Sequence, residues 1–507
     1  MLFTGLLLTL LAGAPQSSEV YVSSQRGDDE TATGTKEAPF RTITRGLSAA
    51  HSLRARQLVV EFGVYHDGET FPLQVWGGLE LRGIGAAGTT IQGGPDDVLV
   101  RVVPSPDGEG RPATLSALGL AGGGLGLEYS TPSVPLRLNG VVCEGLPVGV
   151  RLDATETAAP PLSVVASGFR AVDCAVGLEG VGEGELRLDL GLSSFERCEV
   201  GLLFRAAEDV EPDAYEGAGV HHTVRVRDSV FQGCSLAGIL RRGAARTNRG
   251  APYRFQRTLF HGNRVGLELQ RPAADSAMDV LDCRFLANTH FGLRVCGHRG
   301  DRGLRSRIEG CEFRWNGVGL HTTNTHVLYE VRRNRFVDNS GNAIFMSNFM
   351  TDPVRVLIAN NLVAGNGGAG VYCMADGQQL AAEILHNTVV HNGGGGVYRK
   401  TRHSGTSTFE VRGCIVAGNA PDLVKIEPQE VFHSLIGDGS GGEENGNLAG
   451  DPGFVDPELR DFRLAPGSRC IDRGAVDERL GEADLVGSAR VVGAPDLGAL
   501  EAAEAGR

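Results

Sequence analysis

Lysine is nearly missing from this chain: Lys36, Lys400 and Lys425 are the only lysines among 48 basic residues. Those 48 face 61 Asp and Glu, a net charge of −13, and no long basic run concentrates the positive charge. That balance argues against a nucleic-acid partner, which needs a basic footprint. Aromatics are also scarce, at 6%, and no apolar run reaches the roughly 20 residues of a membrane-spanning helix. Hydrophobic residues make up 41% and charged residues 21%, which excludes a disordered chain. What is abundant is glycine, 73 in 507 residues, a bias toward many tight turns rather than long helices. Such a length fits three domains or one elongated repeat architecture.

The first residues read as an export signal. Leu2 to Ala12 is a short apolar run, followed by the small triplet Ala12, Gly13, Ala14, the pattern of a secretory signal peptide and its cleavage site. Residues 1–17 are assigned to it, and the protein is expected to be secreted, periplasmic or held at the cell surface.

Self-similarity then dominates the chain. A short pattern recurs: Cys, Asn or Ser, any residue, Phe or Val, two residues, Asn or Cys, then Gly with an aliphatic. Clear copies are Cys283-Arg-Phe285 with Asn288 and Gly292-Leu293, Cys311-Glu-Phe313 with Asn316 and Gly319-Leu320, and Asn334-Arg-Phe336 with Asn339 and Ala343-Ile344. The turn anchors fall at 198, 234, 263, 288, 316, 339, 366, 392 and 419, one about every 28 residues. Each unit holds two or three short β-rich pieces separated by Gly, Asn and Asp turns. A parallel β-helix satisfies this. Stacked coils about 4.8 Å apart align inward Val, Leu, Ile and Phe in columns and let the turn asparagines form a hydrogen-bonded ladder. The repeated Asn is therefore structural.

The ends depart from the repeat, as capping coils must. Glu19 to Ser23, Leu58 to Phe62, Leu79 to Arg82 and Thr90 to Gln92 read as strands, Thr42 to Ala50 as a short amphipathic helix, and the repeats stop near Ile426. The division expected is 18–103 for the N-terminal cap and first coils, 104–430 for the repeats and 431–507 for a C-terminal cap.

Two terminal segments carry a family likeness. Val20-Tyr-Val-Ser-Ser-Gln-Arg-Gly27-Asp28, with Gly34-Thr35, Pro39-Phe40, Gly68-Glu-Thr-Phe-Pro-Leu73 and Gly78-Leu-Glu-Leu81-Arg-Gly83, resembles a domain of unknown function that opens many bacterial β-helix proteins. Asp451-Pro-Gly-Phe454, Asp461-Phe-Arg-Leu464, Pro466-Gly-Ser468, Ile471-Asp472 and Asp496-Leu-Gly498 resemble their closing segment. The chain is thus similar to the secreted right-handed β-helix proteins of the pectin-lyase-like superfamily. The resemblance implies an all-β, single-stranded right-handed solenoid with a short N-terminal capping helix and a C-terminal cap. It implies no single activity, since that superfamily holds lyases, hydrolases, epimerases, esterases and proteins without a known reaction. The polygalacturonase-like residue set and the epimerase-like Asp-Pro-His-Glu are not present in order, so no catalytic residue carries over.

The candidate site comes from strand alternation. With Leu293, Leu320, Ile344, Val371 and Val397 inward, their following neighbours form an outward column: Glu268, Arg294, His321, Phe345, Tyr372 and Tyr398. Stacked aromatics on an exposed β-face suit the apolar faces of sugar rings. Aromatic stacking between adjacent strands, with no ligand, is the alternative. Nearby loops are expected to add His326, Asn348, Asp352, Asp376, Arg399, Lys400, Arg402 and His403, giving cations for an anionic glycan and carboxylates able to hold Ca²⁺. His321, Arg399 and Lys400 are the candidates for uronate elimination, which needs a cation and a base. His321-Thr-Thr-Asn-Thr-His326 matches no common zinc spacing, and no metal or other cofactor is expected beyond that Ca²⁺. The ten cysteines allow disulfides between neighbouring coils, as at Cys174/Cys198, Cys198/Cys234 and Cys283/Cys311, or equally a column of buried thiols. The first functional expectation is a noncatalytic, monomeric surface or periplasmic protein that binds glycan or a cell-surface protein. The alternative is a polysaccharide lyase or glycoside hydrolase.

Overall fold

The structure, a computed structural model, describes residues 19–155, 159–182, 184–205, 221–241, 253–270, 277–297, 305–324, 328–349, 354–376, 379–402, 407–490 and 493–502. The signal-peptide segment lies outside them. Within this set the chain winds as a parallel β-solenoid: three sheets of 16, 16 and 14 strands, with consecutive coils pairing in each. In chain order, each coil gives one strand to the first sheet (as Met278–Leu281), one to the second (Arg284–Leu286) and one to the third (Phe291–Cys296).

Inward columns fill the interior. In the second sheet Phe195, Phe231, Phe260, Phe285, Phe313 and Phe336 lie in successive register. Their rings stack at 4.7, 5.2, 4.8, 4.7 and 4.5 Å, with planes within 12°. All six are buried. Val363, Val389 and Val416 continue the column.

Two polar ladders border that sheet, as the repeated Asn requires. On one side Asn263, Asn288, Asn316, Asn339, Asn366, Asn392 and Asn419 each donate Nδ2 to the next side-chain oxygen, at 2.8 to 3.1 Å. The last acceptor is the Asp422 carboxylate, which ends the ladder without leaving an open donor. On the other side Cys311 N–H bonds to Asn334, which leads through Asn361 and Asn387 to Cys414, Ser434 and Asn447. The corner before each of these rungs is left-handed, as at Gly310 (φ 68°), Arg333 (52°), Asn360 (55°) and His386 (48°). Only glycine takes that backbone freely, so at the other three the rung hydrogen bonds hold the corner in place.

Both caps form, with adjusted limits. Helix α1 (Ile43–Leu53) starts at Thr42, whose hydroxyl accepts from Arg45 N–H, and Glu69 accepts from the Ile43 and Thr44 N–H groups at 2.6 and 2.8 Å. A carboxylate there complements the helix dipole. The solenoid does not stop at Ile426: pairs Val431–Phe432, Leu435–Ile436 and Leu448–Ala449 extend it, because Ser434 and Asn447 prolong the polar ladder past the last recognisable repeat.

The C-terminal segment then folds back along the flank. Phe462, Leu464, Cys470, Leu497 and Leu500 pack on Leu362, Ala364, Val390 and Ile415 of the second sheet. Arg490 is fully buried there, paired with Glu501 at 3.0 Å and donating to the Gly498 and Asp496 carbonyls. Arg479 joins Asp477, Glu383 and Glu410 of the first sheet.

Candidate functional site

The outward column stands in register as expected: Glu268, Arg294, His321, Phe345, Tyr372 and Tyr398 oppose one another across successive third-sheet strands. The inward neighbours Leu293, Leu320, Ile344, Val371 and Val397 are fully buried, which fixes the alternation. The column also runs further back, through Leu240 and Leu203 to Glu179, Arg151, Glu128 and Arg101. There it is an ion-pair ladder, with Arg101 on Glu128 at 2.6 Å and Arg151 and Arg205 both on buried Glu179 at 2.8 and 2.7 Å. The site is the stretch where charge gives way to rings.

At its start Glu268 is 8% exposed and accepts from Arg294 at 3.1 Å and from Gln270 at 2.9 Å. The Arg294 guanidinium lies 5.1 Å over the Phe291 ring. His321 is sandwiched between Phe291 (5.4 Å, 22°) and Phe345 (4.5 Å, 12°). Tyr372 turns edge-on to Phe345 (5.0 Å, 88°), then pairs with Tyr398 (4.8 Å, 28°). His321, Phe345, Tyr372 and Tyr398 are each half-buried. The His321–Phe345 faces cover each other, so that pair realises the interstrand stacking alternative, and the stack breaks before the tyrosines.

Burial, and then the Arg294 charge, lowers the His321 pKa to about 4. Its Nε2 meets the Thr323 hydroxyl at 2.8 Å, and that hydroxyl reaches Ser347 Oγ at 2.9 Å. His321 is therefore a neutral stacked ring rather than a cation. Thr323 and Ser347 belong to a second outward column, Cys296, Thr323, Ser347, Met374 and Lys400. The repeat register alone would have revealed it, two residues beyond each ring.

The other candidates separate. Arg399 is on the strand Val397–Arg402 rather than in a loop, and in register with buried, inward Cys373. Its guanidinium binds Glu430 at 2.8 and 2.6 Å and lies 5.3 Å over Phe409, so it plugs the end of the interior. Lys400 stays on the outer face, one column from Tyr398, and Arg402 is exposed and in register with Asp376. Asn348 is buried and donates to the Gln379 carbonyl. His326, Asp352 and His403 lie outside the described residues. Among the described residues no group of three or more His, Cys, Asp or Glu is placed to hold a metal ion, and all ten cysteines are free thiols.

The geometry offers a narrow aromatic strip with Arg294 at one end and Lys400 and Arg402 at the other. By the strand limits, the connections that follow the ring-bearing third-sheet strands are short, five residues between Asn348 and Val354 and three between Asp376 and Leu380.

A family model described as right handed beta helix region matches residues 216–377 and 306–429, and one described as protein of unknown function (DUF1565) matches residues 25–98. No curated protein matches the sequence. Among solved structures, the A-module of the Azotobacter vinelandii mannuronan C-5 epimerase AlgE6 is 15% identical, with 81% of this chain and 94% of that one covered and a TM-score of 0.43. Pectate lyase Pel9A is 14% identical over 96% of both chains, with a TM-score of 0.34. The catalytic domain of a GH87 alpha-1,3-glucanase is 9% identical over 78% of this chain and 68% of that one, with a TM-score of 0.43. At those values the likeness carries no argument about activity.

Proposed function

We propose that this right-handed β-helix protein, which carries a DUF1565 domain near its start, is exported and holds a polysaccharide along its third sheet without cleaving it. The observation that carries the reading is the half-buried ring column at 4.5, 5.0 and 4.8 Å, closed by cations at both ends. Rings one coil apart follow a polymer laid along the solenoid axis, and Tyr372 and Tyr398 add hydroxyls to apolar surface, the combination that sugars engage. With Arg294 already paired to Glu268, it is Lys400 and Arg402 at the other end that favour an acidic chain. Export is supported by the apolar run and small triplet at residues 2–14.

Binding is preferred to catalysis because the three catalytic candidates do not converge. The His321 ring is neutral and engaged by Thr323, Arg399 is engaged inward by Glu430, and Lys400 is three coils from His321. A lyase or hydrolase is the second reading, favoured by Lys400 and Arg402, cations on the same strand as Tyr398.

The test is affinity electrophoresis in polygalacturonate and in neutral glucan gels, with reducing-end release measured in parallel. Replacing both Tyr372 and Tyr398 by Ala removes two rings at about 1 kcal/mol each, so retention should fall about thirtyfold with an unchanged far-UV spectrum. Unchanged retention refutes the site, and release of reducing ends refutes the noncatalytic reading.

A further inference from the structure

A different face carries an arginine pair that the fold itself does not explain. On the outer surface of the first sheet, Asp189, Arg225, Arg254 and Asp279 occupy one column on successive strands. Arg225 and Arg254 are thus direct register partners about 4.8 Å apart at the backbone, and both are exposed. Like charges in register destabilise a sheet. Elsewhere this face avoids the problem: from Arg187 to Arg412, the outward arginines Arg187, Arg227, Arg305, Arg307, Arg332, Arg355 and Arg412 each pair with a carboxylate.

The two carboxylates that border the pair are held by other arginines. Asp189 pairs with Arg227 at 3.5 Å, and Asp279 takes both nitrogens of Arg307 at 3.0 and 2.8 Å. Four guanidiniums therefore face two carboxylates, and among the described residues Arg225 and Arg254 have no ion pair. This surplus sits on a protein of net charge −13.

We propose that Arg225 and Arg254 form an oxyanion site on the first sheet that takes the acidic groups of a glycan, uronate carboxylates or sulfate esters. Two planar forks one rung apart present up to ten N–H donors to one anion between them, the geometry that favours arginine for bidentate recognition. Bound anion would also relieve the repulsion that the register imposes. The site is on another sheet and in earlier coils than the tyrosine strip, so it stands independently of that proposal.

The probes are polygalacturonate, dextran sulfate and neutral dextran, with retention of the full chain measured by affinity electrophoresis at low salt. Retention by either charged polymer and none by dextran is expected, and the charged polymer that retains it identifies the anion. Arg225→Gln with Arg254→Gln should weaken that retention about tenfold, while Arg137→Gln, an exposed arginine between Thr114 and Val165 in register, leaves it unchanged. Without ligand, the double variant should melt at the same temperature as the parent or higher. The proposal is overturned if the double variant is retained like the parent, if Arg137→Gln costs as much, if neither charged polymer retains the chain, or if the double variant melts lower.

Discussion

Asn316 offers a direct test of how the solenoid holds its coils together. It is fully buried, and its side chain makes four contacts in two directions. Nδ2 donates to the Phe285 carbonyl at 2.8 Å and to Asn339 Oδ1 at 2.9 Å, while Oδ1 accepts from Asn288 N–H at 3.1 Å and Asn288 Nδ2 at 2.8 Å. In Asn316→Ala, Asn288 Nδ2 keeps the Phe260 carbonyl and Asn339 Oδ1 keeps the residue 316 amide. The Asn288 N–H and the Phe285 carbonyl lose their side-chain partner inside a closed interior. An unsatisfied buried group costs about 1–3 kcal/mol, so with the two partial losses the variant should be about 3–5 kcal/mol less stable. Urea unfolding followed by far-UV circular dichroism measures it, with Thr289→Ala, exposed one residue past Asn288, as the control expected within about 0.5 kcal/mol. The double variant Asn316→Ala, Asn339→Ala should cost less than the sum of the singles, because the two share a bond. A loss below about 1 kcal/mol, or strict additivity, would refute the ladder as the fastening.

Two further outcomes follow from titratable groups inside the solenoid. With its folded pKa near 4 against an ordinary value of 6.5, His321 binds fewer protons folded than unfolded between those pH values. Its stabilisation is therefore complete above about pH 6.5 and lost as pH falls toward 4. His321→Phe should flatten that fall by up to about 1.4 kcal/mol per pH unit, and an imidazole titrating near 6.5 by NMR would contradict the stack. Burial also pushes the Cys373 and Cys470 thiols up to about 12 and Cys414 to about 11. Thiol reagent at mild alkaline pH should leave the buried cysteines of the native protein nearly untouched, half-buried Cys296 reacting first, and find all ten in denaturant without reductant. Fewer than ten would mean disulfides.

The repeat was legible because each rung must supply the same atoms. An amide side chain that donates and accepts along the stack, a ring behind it and an aliphatic after a glycine recur for geometric reasons, so register and inward alternation could be read by eye. Strand alternation placed the ring column correctly for the same reason. It placed Arg399 poorly, since counting places the position but says nothing of what closes a truncated interior. There the next coil supplies only Leu423–Val424 beside it, and a guanidinium held by Glu430 fills the gap. The C-terminal strap was the larger omission, although the columns held its trace. The outward column of the second sheet reads Arg284, Glu312 and Arg335, then turns to Leu362, Thr388 and Ile415. Earlier in the same column Val230 and Leu259 are also apolar yet half-exposed, so the residue type alone is a weak trace, and it is the burial of Leu362 and Ile415 that shows where Phe462, Leu464 and Leu500 lie down on it. The same reasoning run in the opposite sense isolates Arg225 and Arg254. A sheet that from Arg187 to Arg412 pairs its other outward arginines with carboxylates, yet sets Arg225 and Arg254 in register with none among the described residues, has been shaped there by something other than its own folding.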